Sequence, residues 1–403
     1  MKGRFYMPRA LWLLIIGMVV NVTGSSFLWP LNTIYIHDHL AKSLSVAGIV
    51  LMLNAGASVI GNLYGGSLFD KIGGYKSIIL GISITLAALV GLTFWHGWPE
   101  YIVFQIIIGF GTGIIFPSMY AMAGSVWKEG GRKAFNAIYV AQNLGVAVGA
   151  SLGGLVAAYS FQLIFLANTI MYILFILIAV FGYKGIKVET GKQATTDLGV
   201  PIVKNRKNLY AILILCTGYL LCWVAYVQWQ TTIASYTQEI HISLTQYSLL
   251  WSINGALIVV GQPLLNSILK RLTASLKLQM IIGIGIFIIS FIVAGKSTAF
   301  SGFLVGMIIL TIGEMFIWPA VPTVAFTLSP KGREGFYQGI VNSTATGGRM
   351  LGPLMGGMIV DLYNMSALFI VLIALFLIAI VTTLFYDRNL KTKVVSGTVH
   401  GQI

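Results

Sequence analysis

The hydrophobic positions of this chain come in long runs, broken by short clusters of polar and charged residues. Runs of 18 or more apolar residues with few charges have the length a helix needs to cross the hydrocarbon of a bilayer. They predict twelve such helices, at 10–36, 44–69, 77–95, 101–126, 135–159, 162–183, 208–238, 246–269, 278–295, 301–328, 336–360 and 366–386. Spans one and seven are long enough to tilt or to project beyond the bilayer. The expectation is an all-α membrane protein with twelve transmembrane helices.

Composition agrees: 57% of residues are hydrophobic, 9% are charged and the mean hydropathy is +0.88. A net charge of +14 would invite a nucleic-acid partner, but the placement of the charges argues against one. Of 25 Lys and Arg, 22 fall in the tails and in alternate connections: 70–76, 127–134, 184–207, 270–277 and 329–335. The opposite connections hold only Lys42 and Lys296, and Arg349 lies inside a span. Positive charge marks the cytoplasmic side, so both termini and the central loop are expected there. The basic balance is a topology signal, and the expected surroundings are membrane lipids.

The opening "MKGRFYMPRALWLLIIGMVV" has the look of a signal peptide. Its apolar segment is too long, lacks a small-residue cleavage site, and eleven more spans follow, so it is read as the first span. Cys216 and Cys222 stand six residues apart in span seven, about 9 Å along a helix and beyond easy disulfide reach. The histidines are scattered, with His37 and His39 in an outer loop. Neither a metal site nor a cofactor is expected.

The longest polar connection, 184–207, divides the chain into two sets of six spans. The domains expected are 1–183, a linker 184–207, a second half 208–386 and a tail 387–403. The halves repeat. Asn54, Gly61, Ser67 and Lys71 are answered by Asn254, Gly261, Ser267 and Arg271, each 200 positions later. Phe116-Pro117 answers Trp318-Pro319, and Gly131-Arg132 answers Gly332-Arg333. Such a six-plus-six repeat is the architecture of transporters that rock their halves around a midplane site.

"GGSLFDKIGGYK" (65–76) resembles the loop 2–3 signature of the major facilitator superfamily, with Gly66, Leu68, Asp70, Lys71, Gly73 and Lys76 matching. "GRMLGPLMGG", with Gly348, Gly352, Pro353, Gly356 and Gly357, has the form of that superfamily's antiporter motif. The whole chain is similar to its twelve-span drug/proton antiporters, especially the multidrug exporters of Gram-positive bacteria. The resemblance implies two six-helix halves in a pseudo-two-fold arrangement, in a bacterial cytoplasmic membrane. It implies no enzymatic activity.

Physical reasons stand beside it. Asp70 follows a span at the cytoplasmic side, where an acid can accept from basic side chains or helix N-terminal amides. With Gly66, Lys71, Gly73, Lys76 and Arg132 it is the candidate conformational latch. Gly149 and Gly153 in span five, and the glycines of the second motif, let helices approach closely. No Lys-Ser/Thr follows them as a phosphate-binding loop requires.

Polar and aromatic residues inside spans mark the candidate path: Asn21, Trp29, Asn54, Gln142, Tyr226, Gln230, Asn254 and Trp318. Together they suit an amphipathic organic molecule better than a simple ion. Trp223, Tyr226 and Trp229, spaced by three, are expected to share one face of span seven. Where many related exporters carry an arginine in span four, the nearest polar residue here is Gln105. Where relatives that move cations carry acids in spans one, five or seven, this chain has none and Gln230 stands in place of one, so polyspecific dication export is not expected.

Glu314 and Arg349 are the charges inside the spans. Measured from Leu328 and Phe336 they lie about 21 and 20 Å deep at about 1.5 Å per residue, at matching height. An intramembrane acid costs about 2.5–3.5 kcal/mol on insertion scales and is kept for a reason. These two are the candidate proton-coupling pair. The function expected is proton-coupled export of lipophilic or amphipathic small molecules by a monomer. A narrow transporter of a sugar, peptide or metabolite, and a flippase for lipids or lipid-linked glycans, are the competing readings.

Overall fold

The computed structural model describes residues 7–28, 32, 35–186, 206–272 and 275–390. Trp29, the greater part of the 184–207 linker and the tail beyond 390 lie outside the described residues.

Twelve long helices follow the apolar runs. They are α1 (Arg9–Leu28), α2 (Leu44–Ile72), α3 (Gly74–Phe94), α4 (Glu100–Val126), α5 (Arg132–Tyr159) and α6 (Phe161–Ile178), then α7 (Arg206–Tyr226), α8 (Leu244–Leu272), α9 (Leu276–Gly295), α10 (Phe300–Ile317), α11 (Glu334–Leu362) and α12 (Met365–Phe385). Several starts are written locally. Ser43, Ser160, Ser275 and Asn364 each accept a first-turn amide, from Val46, Gln162, Leu278 and Ala367. Gly73, at φ 87°, ends α2 and begins α3 in a conformation that strains any residue with a Cβ.

Three helices are extended by irregular turns. α6 runs on through a π-helical turn, Ala179–Tyr183. α7 tightens into a 3-10 turn at Val227–Gln230 and resumes as Thr232–Glu239. α10 breaks at Trp318-Pro319 and resumes as Ala320–Leu328. Pro319 has no N–H to give the carbonyl of Met315, and the buried Gln262 side chain of α8 donates to that oxygen at 3.4 Å instead.

Among the described residues, ten helices are long and apolar enough to cross a membrane. The two outside that set are α5 and α11, whose glycines and polar side chains dilute the apolar run. Large apolar side chains lie open along the helices, among them Leu354, Val260 and Ile370, a surface made for hydrocarbon. Cys216 and Cys222 are free and buried.

The described residues form two compact units, one from Met1–Lys204 with Ser329–Ser343, the other from Asn205–Leu328 with Thr344–Ile403. In the first, α2 and α3 pack on α4, α1 on α5 and α6, and α3 on α6. In the second, α8 and α9 pack on α10, and α12 on α7 and α9. Four of these five pairings recur six helices later, which is the sequence repeat expressed as packing. In α2 and α4 the contact is backbone on backbone: a Cβ on Gly61 would lie 2.3 Å from the Phe110 carbonyl, and one on Gly109 the same distance from that of Asn54.

Candidate transport site

Glu314 occupies the last turn of α10, just before the Trp318-Pro319 break, and is 2% exposed. Its carboxyl takes neutral partners from a side-chain amide, an indole and a phenol. Asn254 Nδ2 donates to Oε1, and at 2.9 Å to Thr311 Oγ1. Trp318 Nε1 donates to Oε2 at 3.1 Å, a one-turn contact that the helix supplies. The Tyr226 hydroxyl shares a further hydrogen bond with the carboxyl. Buried polar groups survive in a span only when satisfied in this way.

Arg349 is linked to this acid through two indoles. Trp318 stacks on Trp223, ring centroids 4.3 Å apart and planes 11° off parallel. The Arg349 guanidinium lies 5.0 Å over the Trp223 ring, and its Nη2 reaches Thr346 Oγ1 at 3.4 Å. Tyr219, Tyr226 and Phe287 each place a ring 5.4 or 5.5 Å from Trp318, closing an aromatic cluster. Arginine over an indole is a favourable cation–π geometry, stronger where water is thin. Glu314 and Arg349 both act electrostatically on Tyr226.

Of the predicted lining residues the structure therefore gathers Tyr226, Asn254 and Trp318 around Glu314. Gln230 ends the 3-10 turn after α7, half-buried. The expected aromatic face of span seven holds only in part. Trp223 and Tyr226 are edge to face at 5.4 Å, but Trp229 packs on Phe291 and Phe303, because the 3-10 turn changes the helical phase at Val227.

The other polar candidates belong to the first unit. Asn54 donates to Gln105 O at 2.7 Å and Oε1 at 3.2 Å, an α2–α4 tie. Gln105 passes the network on to Asn32, which also accepts the Tyr101 hydroxyl at 2.6 Å. Gln142 accepts the Tyr120 hydroxyl at 2.8 Å. Asn21 is fully buried, and its amide makes no hydrogen bond among the described residues. In the repeat, Thr112 stands opposite Glu314 and spends its hydroxyl on the carbonyls of Ile108 and Gly109. The acid has no counterpart in the first half.

The first unit also holds the Asp70 site. Asp70 is 6% exposed and accepts the amides of Gly335 at 2.8 Å and Phe336 at 2.9 Å, the first turn of α11. A carboxylate on first-turn amides is a helix cap supplied from a distant part of the chain. Gly66 makes the approach possible, since a Cβ there would lie 2.2 Å from the Gly335 carbonyl. Lys71 and Lys76 are exposed, whereas Arg132 is buried at the start of α5, where burial draws its guanidinium down to about 9. At neutral pH it stays charged.

The motif glycines divide. Gly149 and Gly153 of α5 close on Thr23, Ser26 and Phe27 of α1, and Gly348, Gly352 and Gly356 of α11 close on Trp223, Val224 and Gln228 at the α7 end. Pro353 sits within α11 beside them. Gly357 corrects the expectation: nothing lies within 4 Å of its missing Cβ, because the next residue of a helix points about 100° away from the packed face. Sequence reading missed Gln262, Thr311 and the Gly335 amide. The proline at 319 was the available signal for the first, since a freed carbonyl needs a donor.

Long apolar helices in two units that repeat a packing scheme, with a buried acid in a span, give the chain the construction of a multi-pass membrane transporter. The Major Facilitator Superfamily profile matches residues 14–276 and 220–400, and the chain belongs to that family. It is 61% identical to the uncharacterized MFS-type transporter YttB of Bacillus subtilis (strain 168) over 386 residues, 96% of this chain and 97% of that one. It is 20% identical to the multidrug resistance protein MdtH of Shigella dysenteriae, covering 87% of this chain and 86% of that one. The crystal structure of the human organic anion transporter MFSD10 superposes with a TM-score of 0.74 at 13% identity, over 94% of this chain and 100% of that one. That likeness establishes the fold.

Proposed function

We propose that this protein exports amphipathic organic molecules from a bacterial cytoplasm in exchange for protons, with Glu314 as the proton-carrying group. The carrying observation is the ring of neutral donors around a nearly fully buried acid. Amide and indole N–H groups can serve a carboxylate or a carboxylic acid, and a tyrosine hydroxyl can donate to the first and accept from the second. A site built this way tolerates both protonation states without losing its partners. The multidrug resistance proteins among its relatives support export as the direction. Arg349, reached through Trp318 and Trp223, is the fixed positive charge against which the carboxyl changes state. Termini on the cytoplasmic side follow from the distribution of lysine and arginine.

The test is transport in proteoliposomes with and without a pH gradient. Glu314→Gln mimics the protonated acid. It is expected to fold, bind substrate and exchange it down its own gradient, while losing accumulation driven by protons. Proton-driven accumulation at the wild-type level in Glu314→Gln would end the coupling role.

A further inference from the structure

The start of α1 and the end of α6 meet at one face of the first unit. The Tyr183 hydroxyl donates to the Leu13 carbonyl at 3.2 Å, and a Cβ on Gly182 would lie 3.3 Å from a Leu13 methyl carbon. Arg9 stands one turn before Leu13 and Lys184 two residues after Gly182, so both follow that contact toward the same membrane face. Both are exposed. Trp12 and Ile16 lie open along α1, and Leu177 and Phe181 along α6 and its π turn. Arg9, Trp12 and Ile16, three and four residues apart, share one face of α1. Among the described residues neither cation forms an ion pair, and none of α1, α3, α5 and α6 carries an acid.

We infer that this place binds one anionic phospholipid, its phosphate between Arg9 and Lys184 and its acyl chains along Trp12, Ile16, Leu177 and Phe181. A phosphate offers a guanidinium and an ammonium one charge-assisted hydrogen bond each, and basic residues between the ends of membrane helices attract such headgroups. Aromatic rings at the same depth suit the boundary between headgroup and hydrocarbon. The occupant is a lipid because open apolar side chains lead from the two cations into the span, where a soluble anion would use the cations alone. The repeat supplies a contrast. Tyr183 and Tyr386 are both buried at helix ends, of α6 and α12, and each is followed by a charged residue. After Tyr386 that residue is Asp387, held by Lys277 at 2.6 Å, so the second unit carries its own ion pair. After Tyr183 it is Lys184, and the helices around it supply no acid. The missing negative charge is what the lipid brings. The site belongs to the first unit and does not rest on the exchange reading.

The experiment reads tryptophan quenching in the whole protein, reconstituted in phosphatidylcholine bilayers. A rising fraction of brominated phosphatidylglycerol is added, or in parallel brominated phosphatidylcholine. The share of quenching that Trp12→Phe removes is the signal of this site. Wild type is expected to reach half-saturation at a fraction of phosphatidylglycerol about ten-fold below that of phosphatidylcholine. Arg9→Gln with Lys184→Gln should bring the two curves together, and each single variant should fall between. The single variants also give the reading where the double variant fails to insert. Arg9→Lys with Lys184→Arg, which keeps both charges, should keep the preference. Arg388→Gln, which removes an exposed cation after α12 in the second unit, should leave it unchanged. Coincident curves in wild type overturn the inference. So does a preference that survives the loss of both cations, or one that Arg388→Gln lowers as much, since that would be a general attraction of the basic surface.

Discussion

Asp70 Oδ1 accepts the amide of Gly335 at 2.8 Å, so the last turn of α2 caps the first turn of α11 through backbone alone. The second oxygen takes the amide of Phe336 at 2.9 Å, so each carboxylate oxygen holds one amide of the helix start. Both bonds lie within the unit formed by Met1–Lys204 and Ser329–Ser343, although α11 belongs by sequence to the second six helices.

Asp70→Asn turns one of these acceptors into an NH2 group that faces an N–H. An unsatisfied buried donor costs about 1–3 kcal/mol, enough to shift a two-state equilibrium about ten-fold or more. The expected result is a folded protein that binds substrate as before and transports it about ten-fold more slowly. Gly66→Ala should behave alike, because its Cβ would lie 2.2 Å from the Gly335 carbonyl. Transport at the wild-type rate in Asp70→Asn would leave the residue as a structural cap with no part in the cycle.

A second expectation concerns Gln228, fully buried at the turn that follows α7. Its Nε2 donates to Gly352 O at 2.6 Å and Val224 O at 3.0 Å, while Oε1 accepts the Thr232 hydroxyl at 2.8 Å. Gly356 is the floor of this arrangement, since a Cβ there would lie 2.0 Å from Oε1. Gly356→Ala should lower the thermal midpoint of the solubilised protein by several degrees, and much less in a Gln228→Ala background where the crowding is relieved. Gly357→Ala, with open space around it, should change nothing. Equal losses at 356 and 357 would contradict the packing.

These cases show what the sequence could and could not reveal. The twelve helices were legible because lipid demands long apolar runs and tolerates few charges in them. Glu314 was legible for the same reason: one acid in an otherwise apolar run announces itself. Which residues meet it was not, because a helix apolar all round carries no stripe to orient it. Asn254 and Trp318 could be singled out as polar or aromatic residues in spans, yet only packing joins them to the acid. The partners of Asp70 are backbone amides, which have no side-chain signature at all. Gly357 misled for a geometric reason, since paired glycines in a motif read alike while a helix turns them to different faces.

The final prediction separates the donors around Glu314. Trp318→Phe keeps an aromatic ring to stack on Trp223 and removes the N–H that reaches Oε2. Asn254→Leu removes the donor shared by Oε1 and Thr311, and should be the more damaging of the two because it leaves both acceptors short. Each is expected to reduce proton-driven accumulation while leaving downhill exchange of substrate largely intact. The informative comparison is the double mutant with Glu314→Gln. If the donors act through the carboxyl, adding Glu314→Gln to either variant costs little more, and the stability cycle gives a coupling of about 0.5–3 kcal/mol. Strictly additive losses, in transport and in thermal midpoint alike, would mean that Asn254 and Trp318 serve the packing of α8 on α10 and the indole stack, and that Glu314 works without them.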